Sequence, residues 1–506
     1  MTWRESRSLG RRRCNLLPKM PTGKLSGTRI LVGRPSGEAA DSAGTEGIII
    51  SGKRTEGYSD GCESRLCPFS VLKEGRLVLH NNTDNASGPH SPEQEPRRTV
   101  LYDWHSTLTD KSHIASFAGY LMPLWYSSIS AEHAAVREAA GIFDCTHMGI
   151  LEISGAGAAD FLNQLTTNSV THLEVRHAQY GFVLEPSGSV LDDVIVYRRG
   201  LEEFMLVVNA ANDAKIRNRI RSLVDDEVCI DPKQPGRKIC SRPKVRDLRG
   251  ADCGGDCRVD IALQGPKSLD VLSALTEGKE VESQVADLRP FQFAETDIRG
   301  IECLVSHTGY TGANVGFELF VHPEKASQLW EMILEAGRPW GLLPCGLGSR
   351  DSLRIEAGLP LYGHELAGRF NISPFEAGYG WAVKLDKEFF IGKAAMERIS
   401  REYDMKVARV QLPGTRGTRP IRQNDAVLGE HGRSIGWILS CTVIDEKQIA
   451  LVYVDRGSVE ENDAVGIYYS ARSERQIRQG RKQSIEKGEL LEPDLTGEVV
   501  SRFAKF

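Results

Sequence analysis

An α+β fold of mostly antiparallel sheets with flanking helices is what this sequence predicts, and two stretches predict it. Between Gln179 and Asn209 the chain reads as a strand meander, with tight turns at Pro186-Ser187-Gly188 and Arg199-Gly200-Leu201. After Lys393 comes a β-rich tail of four apolar runs: Val407–Leu412, Ser434–Leu439, Ile449–Val454 and Ala464–Tyr469. Helical signals are interspersed with these strands. Ser130 is placed to cap a helix running through Ala140, with Gly141 as its stop. Gly149–Ser154 reads as a strand and Ala158–Leu165 as a short helix. Ile301–His307 and Gly316–Val321 read as strands around a loop. Pro323 opens an amphipathic helix with Leu329, Met332, Ile333 and Ala336 on one face, and Ser349–Ala357 is a further helix.

The chain has 506 residues, which implies two to four domains, since single cores stop growing at roughly 250–300 residues. Its 63 basic and 68 acidic residues leave a formal net charge of −5. That balance argues against a dedicated nucleic-acid coat, and no apolar run reaches the roughly 18 residues that span a bilayer. Residues 1–97 carry scattered Gly, Ser, Asn and Pro with little periodicity, so a poorly ordered extension is expected there. Its first thirty residues hold eight Lys/Arg against the single acid Glu5, as in an organelle transit peptide or an extension with no function.

Eleven irregularly spaced cysteines point to reduced thiols in an intracellular compartment. Four of them, Cys229, Cys240, Cys253 and Cys257, fall in a polar, basic segment at 229–257. The C-x3-C spacing and the lack of a suitably spaced histidine favour an inserted loop with incidental thiols over a zinc knuckle.

Asp192-Asp193 is the most informative pair. It sits in Val190–Tyr197, a run otherwise apolar at both parities and therefore covered on both faces. Successive strand residues point to opposite faces, so only one of the two carboxylates can meet a given ligand. Burying either costs several kcal/mol unless it is paired, roughly the scale of an unmatched charge. One reading is a ligand-facing acid; the other is one Asp capping a loop and its neighbour exposed at a bend. Glu318, inside the apolar Phe317–Val321, raises the same question. Arg350 and Arg354 share a helix face and suit a carboxylate ligand, or ion pairs with Asp351 and Glu356. Gly155-Ala156-Gly157-Ala158-Ala159-Asp160 imitates a dinucleotide fingerprint, but Asp160 stands where the third small residue belongs, which favours a plain helix N-terminus. The basic run Arg472, Arg475, Arg478, Arg481 and Lys482 reads as a solvated segment or a contact for an acidic partner. No Walker loop, H-E-x-x-H or G-x-S-x-G elbow is present.

Several ordered segments together resemble the aminomethyltransferase (T-protein) family of the glycine cleavage system. They include RRTVLYDWH (97–105), AAGIFDCTHMG (139–149), GSVLDDVIVY (188–197), LVVNAAN (206–212), GYTG (309–312), GFELFV (316–321), GLGSRDSLRIEAGLPLYGHEL (346–366) and GYGWAVKLDKEFFIGK (378–393). The likeness is strong over 97–395 and weaker over 405–506.

The resemblance implies a three-domain cloverleaf with a C-terminal β-barrel over 400–506, folate-binding lobes over 98–395, and a tetrahydrofolate site in the centre. It also implies that Asp193 is the catalytic carboxylate. Met148, Tyr180, Asn209, Tyr310, Glu318, Arg350 and Trp381 would be folate contacts, with Arg502 a candidate for the last one and Arg354 structural. The implied reaction draws a one-carbon unit from the lipoylated H-protein, with neither nucleic acid nor membrane as partner, in the cytoplasm or, if the Arg-rich start is a transit peptide, the mitochondrial matrix. Related folate enzymes, such as methyl-transferring demethylases, share much of the pattern. Folate-binding factors for iron–sulfur assembly carry a KGCYxGQ-type motif where this chain reads Asp386-Lys387-Glu388-Phe389-Phe390-Ile391-Gly392-Lys393. The family's TGEDGFE loop is here Thr311–Glu318, one residue longer and without both acids, and its SGxxSP turn is Ser440–Asp445.

Overall fold

Two antiparallel sheets face each other, each with helices on its outer surface. The first has five strands in the order Lys244–Asp247, Gly149–Ser154, Glu203–Val208, Val190–Arg198 and His177–Leu184. The second has six: Phe293–Ile298, Ile301–Ser306, Gly316–Val321, Val259–Gln264, Gly141–Asp144 and Leu343–Cys345, of which only the last pair is parallel. These elements belong to a unit spanning Ser64–Phe506. The computed structural model describes residues 95–276 and 284–506, together with the short paired strands Ser70–Val71 and Leu77–Val78. Apart from those strands and residues 95–97, the expected N-terminal extension lies outside the described residues.

The expected meander forms with its two turns in place. Val194 and Val196 pack outward onto helices Ala158–Leu165 and Asp213–Val224, through Phe161, Leu162, Ile216 and Ile220. Tyr197 points the other way, onto Phe293 and Phe320 of the second sheet, with ring centroids 5.6 and 5.3 Å apart. The strand is thus covered on both sides, as its doubly apolar pattern requires. On the second sheet, Ile261, Leu263, Leu319 and Val321 meet helices Ser268–Leu275 and Pro323–Gly337. Leu329, Trp330 and Ile333 of the latter helix are fully buried, which contributes about 2 kcal/mol each. The tail closes into a six-stranded barrel, Met405–Pro413, Lys447–Asp455, Ser434–Ile444, Ala426–Leu428, Ala464–Tyr468 and Leu495–Val500, which removes the sheet edges.

Four expectations need correction. The helix expected to start at Ser130 spans Ile129–Glu138, because the Ser128 hydroxyl accepts the Ala131 N–H at 3.2 Å and so caps it earlier. Gly141 is not a stop but the first residue of a strand, where a Cβ would collide with Val136 and Cys345. The 229–257 segment is more than a loop: its Lys244–Asp247 adds an edge strand beside Gly149–Ser154, fixed by Arg246 on Glu152 and Asp256 (2.5 and 2.9 Å). Its thiols are not all reduced either, since Cys253 and Cys257 are joined as a disulfide.

Ser241 of the same segment donates to the Gly157 carbonyl at 2.6 Å and fills the space at the Ala158–Leu165 N-terminus. No helix among the described residues is long and apolar enough to cross a membrane.

A buried clamp ties the first helix to the second sheet. His105 bonds Asp144 at 2.7 Å and the Tyr126 hydroxyl at 2.8 Å. Burial alone would raise the Asp144 carboxyl, but the His105 hydrogen bond and charge hold it at about 2. A depressed carboxyl stabilises the fold above its unfolded pKa and loses that effect as pH falls through its folded value, here worth about 2 kcal/mol. Asp144→Asn is therefore expected to lower unfolding free energy at pH 6 by about that amount, with the difference roughly halved at pH 3. Denaturant titrations at the two pH values check this, and equal differences would refute it.

Candidate functional site

The gap between the inner faces of the two sheets gathers most of the polar residues singled out in the sequence. In strand Val190–Arg198 the two adjacent carboxyls have separate surroundings. Asp192 turns away from the gap and accepts the Asn209 backbone N–H at 3.0 Å and the side-chain amides of Asn209 (2.9 Å) and Asn212 (2.5 Å). It caps the turn after Glu203–Val208. Asp193 faces inward, half-buried, and accepts from the Tyr180 hydroxyl at 3.0 Å and the Asn209 side-chain amide at 2.9 Å. Burial raises both carboxyls, and each also feels its neighbour's charge or its donors: Asp193 pushes Asp192 further up, while Tyr180 and Asn209 favour the charged form of Asp193.

Tyr180 opens an aromatic wall. Its ring lies 5.4 Å from Tyr379 and 6.1 Å from Trp381, and Tyr379 in turn lies 5.4 Å from Phe503. Trp381 is 53% exposed, so the wall ends at solvent. A buried lysine braces this side. Lys387 donates to the Thr166 and Asn168 carbonyls (2.7 and 2.8 Å), and Asn168 donates to the Tyr180 carbonyl at 2.9 Å. Burial pushes the Lys387 ammonium down to about 7.

The opposite sheet supplies Glu318. Despite the altered loop before it, Glu318 sits inside strand Gly316–Val321, where Thr308 donates to its carboxyl and the Tyr197 hydroxyl lies 3.5 Å away. Burial raises it, opposed by Thr308 and the nearby Arg350. Helix Leu347–Ala357 brings in Arg350, whose guanidinium lies 5.1 Å from the Tyr310 ring centre and whose buried Nη1 has no partner. Tyr310 itself donates to the Pro360 carbonyl at 2.6 Å. Met148, half-buried, packs against the apolar cluster shared by the two sheets, which includes Tyr197 and Phe320, and against the cluster of Phe143, Ala262 and Leu353.

Arg354, one turn beyond Arg350, has a different place. It bonds Asp351 (2.8 Å), Glu365 (2.7 Å) and Ser440 of the barrel (3.0 Å), and is 1% exposed. Glu356 pairs instead with Arg137 and His133. Arg502 donates to the Gly358 and Ala377 carbonyls and keeps a buried, unpartnered Nε near Tyr379. In the basic run, Arg472, Arg478, Arg481 and Lys482 are paired with Asp425, Glu474, Asp494 and Glu489. A pocket lined by His364, Arg369, Phe370 and Asn424 opens by the barrel and holds none of the expected site residues.

Sequence reasoning missed Tyr197, Tyr379 and Asp260. The last had a readable signal: a lone acid in the apolar Val259–Leu263, the pattern that singled out Glu318. Chemically, the gap offers two acidic walls, one cation and an aromatic surface, a match for a flat, nitrogen-rich heterocycle with both donors and acceptors.

Comparison with known proteins agrees with this arrangement. The family profile described as GCVT N-terminal domain matches residues 101–387. An aminomethyltransferase from Exiguobacterium sibiricum is 37% identical over 361 residues, covering 71% of this chain and 89% of that protein. One from Shouchella clausii is 42% identical over 303 residues, covering 60% and 74%. Among solved structures, the glycine cleavage system aminomethyltransferase T from Bartonella henselae superposes with a TM-score of 0.62 at 27% identity, over 80% of this chain and 97% of that one. By sequence, by fold and by the extent of both matches, the chain belongs to the aminomethyltransferase family.

Proposed function

We propose that this chain moves the one-carbon unit of an aminomethylated dihydrolipoyl arm, carried by an H-protein, onto tetrahydrofolate, releasing ammonia and 5,10-methylenetetrahydrofolate. The observation that carries the reading is Asp193, a half-buried carboxylate held by two donors and facing a gap lined by Glu318, Arg350 and aromatic rings. In the net reaction the methylene carbon loses its bonds to ammonia nitrogen and arm sulfur and gains bonds to N5 and N10 of the folate. The two displaced N–H protons end on ammonia and the thiol, so atoms balance.

In this reading Glu318 accepts the paired N–H donors of the pterin, and the wall of Tyr180, Tyr379 and Trp381 packs on the rings. Arg350 stands over Tyr310 on the same side, and Asn209 and Met148 bound the cavity. Asp193 orients the attacking nitrogen and stabilises the positive charge that develops at the methylene as ammonia leaves. A fixed carboxylate needs no reorganisation to do so.

The test supplies tetrahydrofolate and aminomethylated H-protein and follows both products. Equal amounts of ammonia and 5,10-methylenetetrahydrofolate are expected. Tight folate binding without either product would move the reading to another one-carbon donor. Glu318→Gln should weaken tetrahydrofolate binding by at least about 10-fold, the scale of a hydrogen bond to a charged group. Calorimetric titration checks it, and an unchanged dissociation constant would remove Glu318 from the cradle.

A further inference from the structure

The least explained group in the gap is Asp260. It is 2% exposed, and among the described residues neither of its carboxyl oxygens has a hydrogen bond or ion pair; Oδ1 is shut off from solvent altogether. A bare buried carboxyl is costly to a fold, and native folds satisfy such groups almost without exception. An apolar residue in this strand would avoid that cost entirely.

Register fixes where the side chain lies. In strand Val259–Gln264, Ala262 stands opposite Glu318 and Asp260 two residues away, opposite Phe320. Asp260 and Glu318 therefore share the inner face of the sheet as diagonal neighbours, at a spacing of roughly 7–8 Å. Phe320 on that face meets Tyr197 of the opposing sheet, so the face is the one that closes the gap. The charged groups around Asp260 are Glu318, Arg350 and Asp144, from three different elements, with the titratable Tyr197, Cys145 and Cys303 also within reach of its charge. Burial and the Glu318 charge both raise the Asp260 carboxyl, and Arg350 only partly offsets them. A second open valence faces the same cluster: the buried Arg350 Nη1 has no acceptor.

We propose that Asp260 is a further ligand-binding carboxyl of this site, meeting polar ring atoms on the pterin edge adjacent to the one held by Glu318. The proposal rests on the folate reading above. A pair of N–H donors suits the Glu318 carboxylate. The neighbouring edge of a reduced pterin offers an N–H donor beside a ring-nitrogen acceptor. A carboxyl that carries its proton supplies the complementary acceptor and donor. Two carboxyls set side by side then select the aminopyrimidinone head over flat rings that lack this pattern. This makes Asp260 a specificity group, outside the bond-making step assigned to Asp193.

Tetrahydrofolate is titrated into the full chain, wild type, Asp260→Asn and Asp260→Leu, with ligand-free melting temperatures and the KM and kcat of the transfer reaction measured alongside. Asp260→Leu is expected to bind at least about 10-fold more weakly and to raise KM by a similar factor, with kcat within about threefold, while Asp260→Asn, whose amide keeps one acceptor and one donor, should bind within about threefold of wild type. Ligand-free Asp260→Leu should melt no lower than wild type, because it removes a bare buried carboxyl. Asp260→Asn binding as weakly as Asp260→Leu overturns the acceptor–donor role given to its carboxyl, and binding of Asp260→Leu within twofold of wild type overturns the assignment to Asp260. So does a clear drop in the ligand-free melting temperature of Asp260→Leu, which would make the residue an anchor of the fold. Failure of the wild type to bind tetrahydrofolate is a separate result, and it overturns the folate reading itself.

Discussion

Asp193→Asn should cut the rate of ammonia and 5,10-methylenetetrahydrofolate formation by roughly 10²-fold or more, while leaving the dissociation constant for tetrahydrofolate within about threefold. The substitution changes charge and almost nothing else. Asparagine has the shape of aspartate, so its amide can still contact the Tyr180 hydroxyl and the Asn209 side chain, now 3.0 and 2.9 Å from the carboxylate. The Asp192 cap, on the other face of the strand, is not touched. What disappears is the negative charge beside a carbon that becomes positive, in a place where burial makes charge more effective than in water. Coupled product assays and calorimetry on one preparation separate the two quantities. A variant keeping a third or more of wild-type turnover would remove Asp193 from the chemistry.

The largest effect on stability is expected at Arg354. Its ion pair with Glu365 is shut off from solvent on both sides, 1% and 0% exposed, and the same guanidinium reaches Ser440 on the barrel. Arg354→Met strands the Glu365 carboxylate without its cation, a loss of about 3–5 kcal/mol and a melting temperature lower by on the order of 10 °C. Replacing both partners, Arg354→Met with Glu365→Leu, should recover most of that loss, since an uncharged pair has no orphaned ion. Thermal melts of the single and double variants check it. If the double variant is no more stable than Arg354→Met, the cost lies in the contacts to Asp351 and Ser440 instead.

Much of this architecture was legible residue by residue. The strands Gly149–Ser154 and Gly316–Val321 and the helix Ala158–Leu165 have the ends that their patterns imply, because apolar periodicity and the flanking glycines agree there. The Ser130 cap misled because Ser128 and Ser130 are both competent and only the fold chooses between them. Gly141 carried no local sign that its missing Cβ makes room for Val136 and Cys345, the latter two hundred residues away. The edge strand Lys244–Asp247 escaped for a similar reason: its Lys-Val-Arg-Asp is too polar to read as a strand, and its charges are what a sheet edge uses to stay soluble.

At the site, the sequence raised the right question about Asp192 and Asp193 without an answer, since alternation says that two neighbours face apart but not which of them meets the gap. The loop-capping reading applies to Asp192 alone, and Asp193 is turned inward and not exposed at a bend. Asp260 stayed hidden because its significance depends on a diagonal neighbour in another strand.

The register of the six-stranded sheet also has a meaning in time. Gly141–Asp144 lies between Val259–Gln264 and Leu343–Cys345, so neither neighbour exists when it is made. At 5–20 residues per second, the roughly 200 residues separating it from its last partner take about 10 to 40 s to synthesise. For that interval the nascent chain carries an apolar strand with open edges, and the helix that will position Arg350 has not yet been translated. During every round of synthesis the gap between the sheets is thus among the last features to come into being.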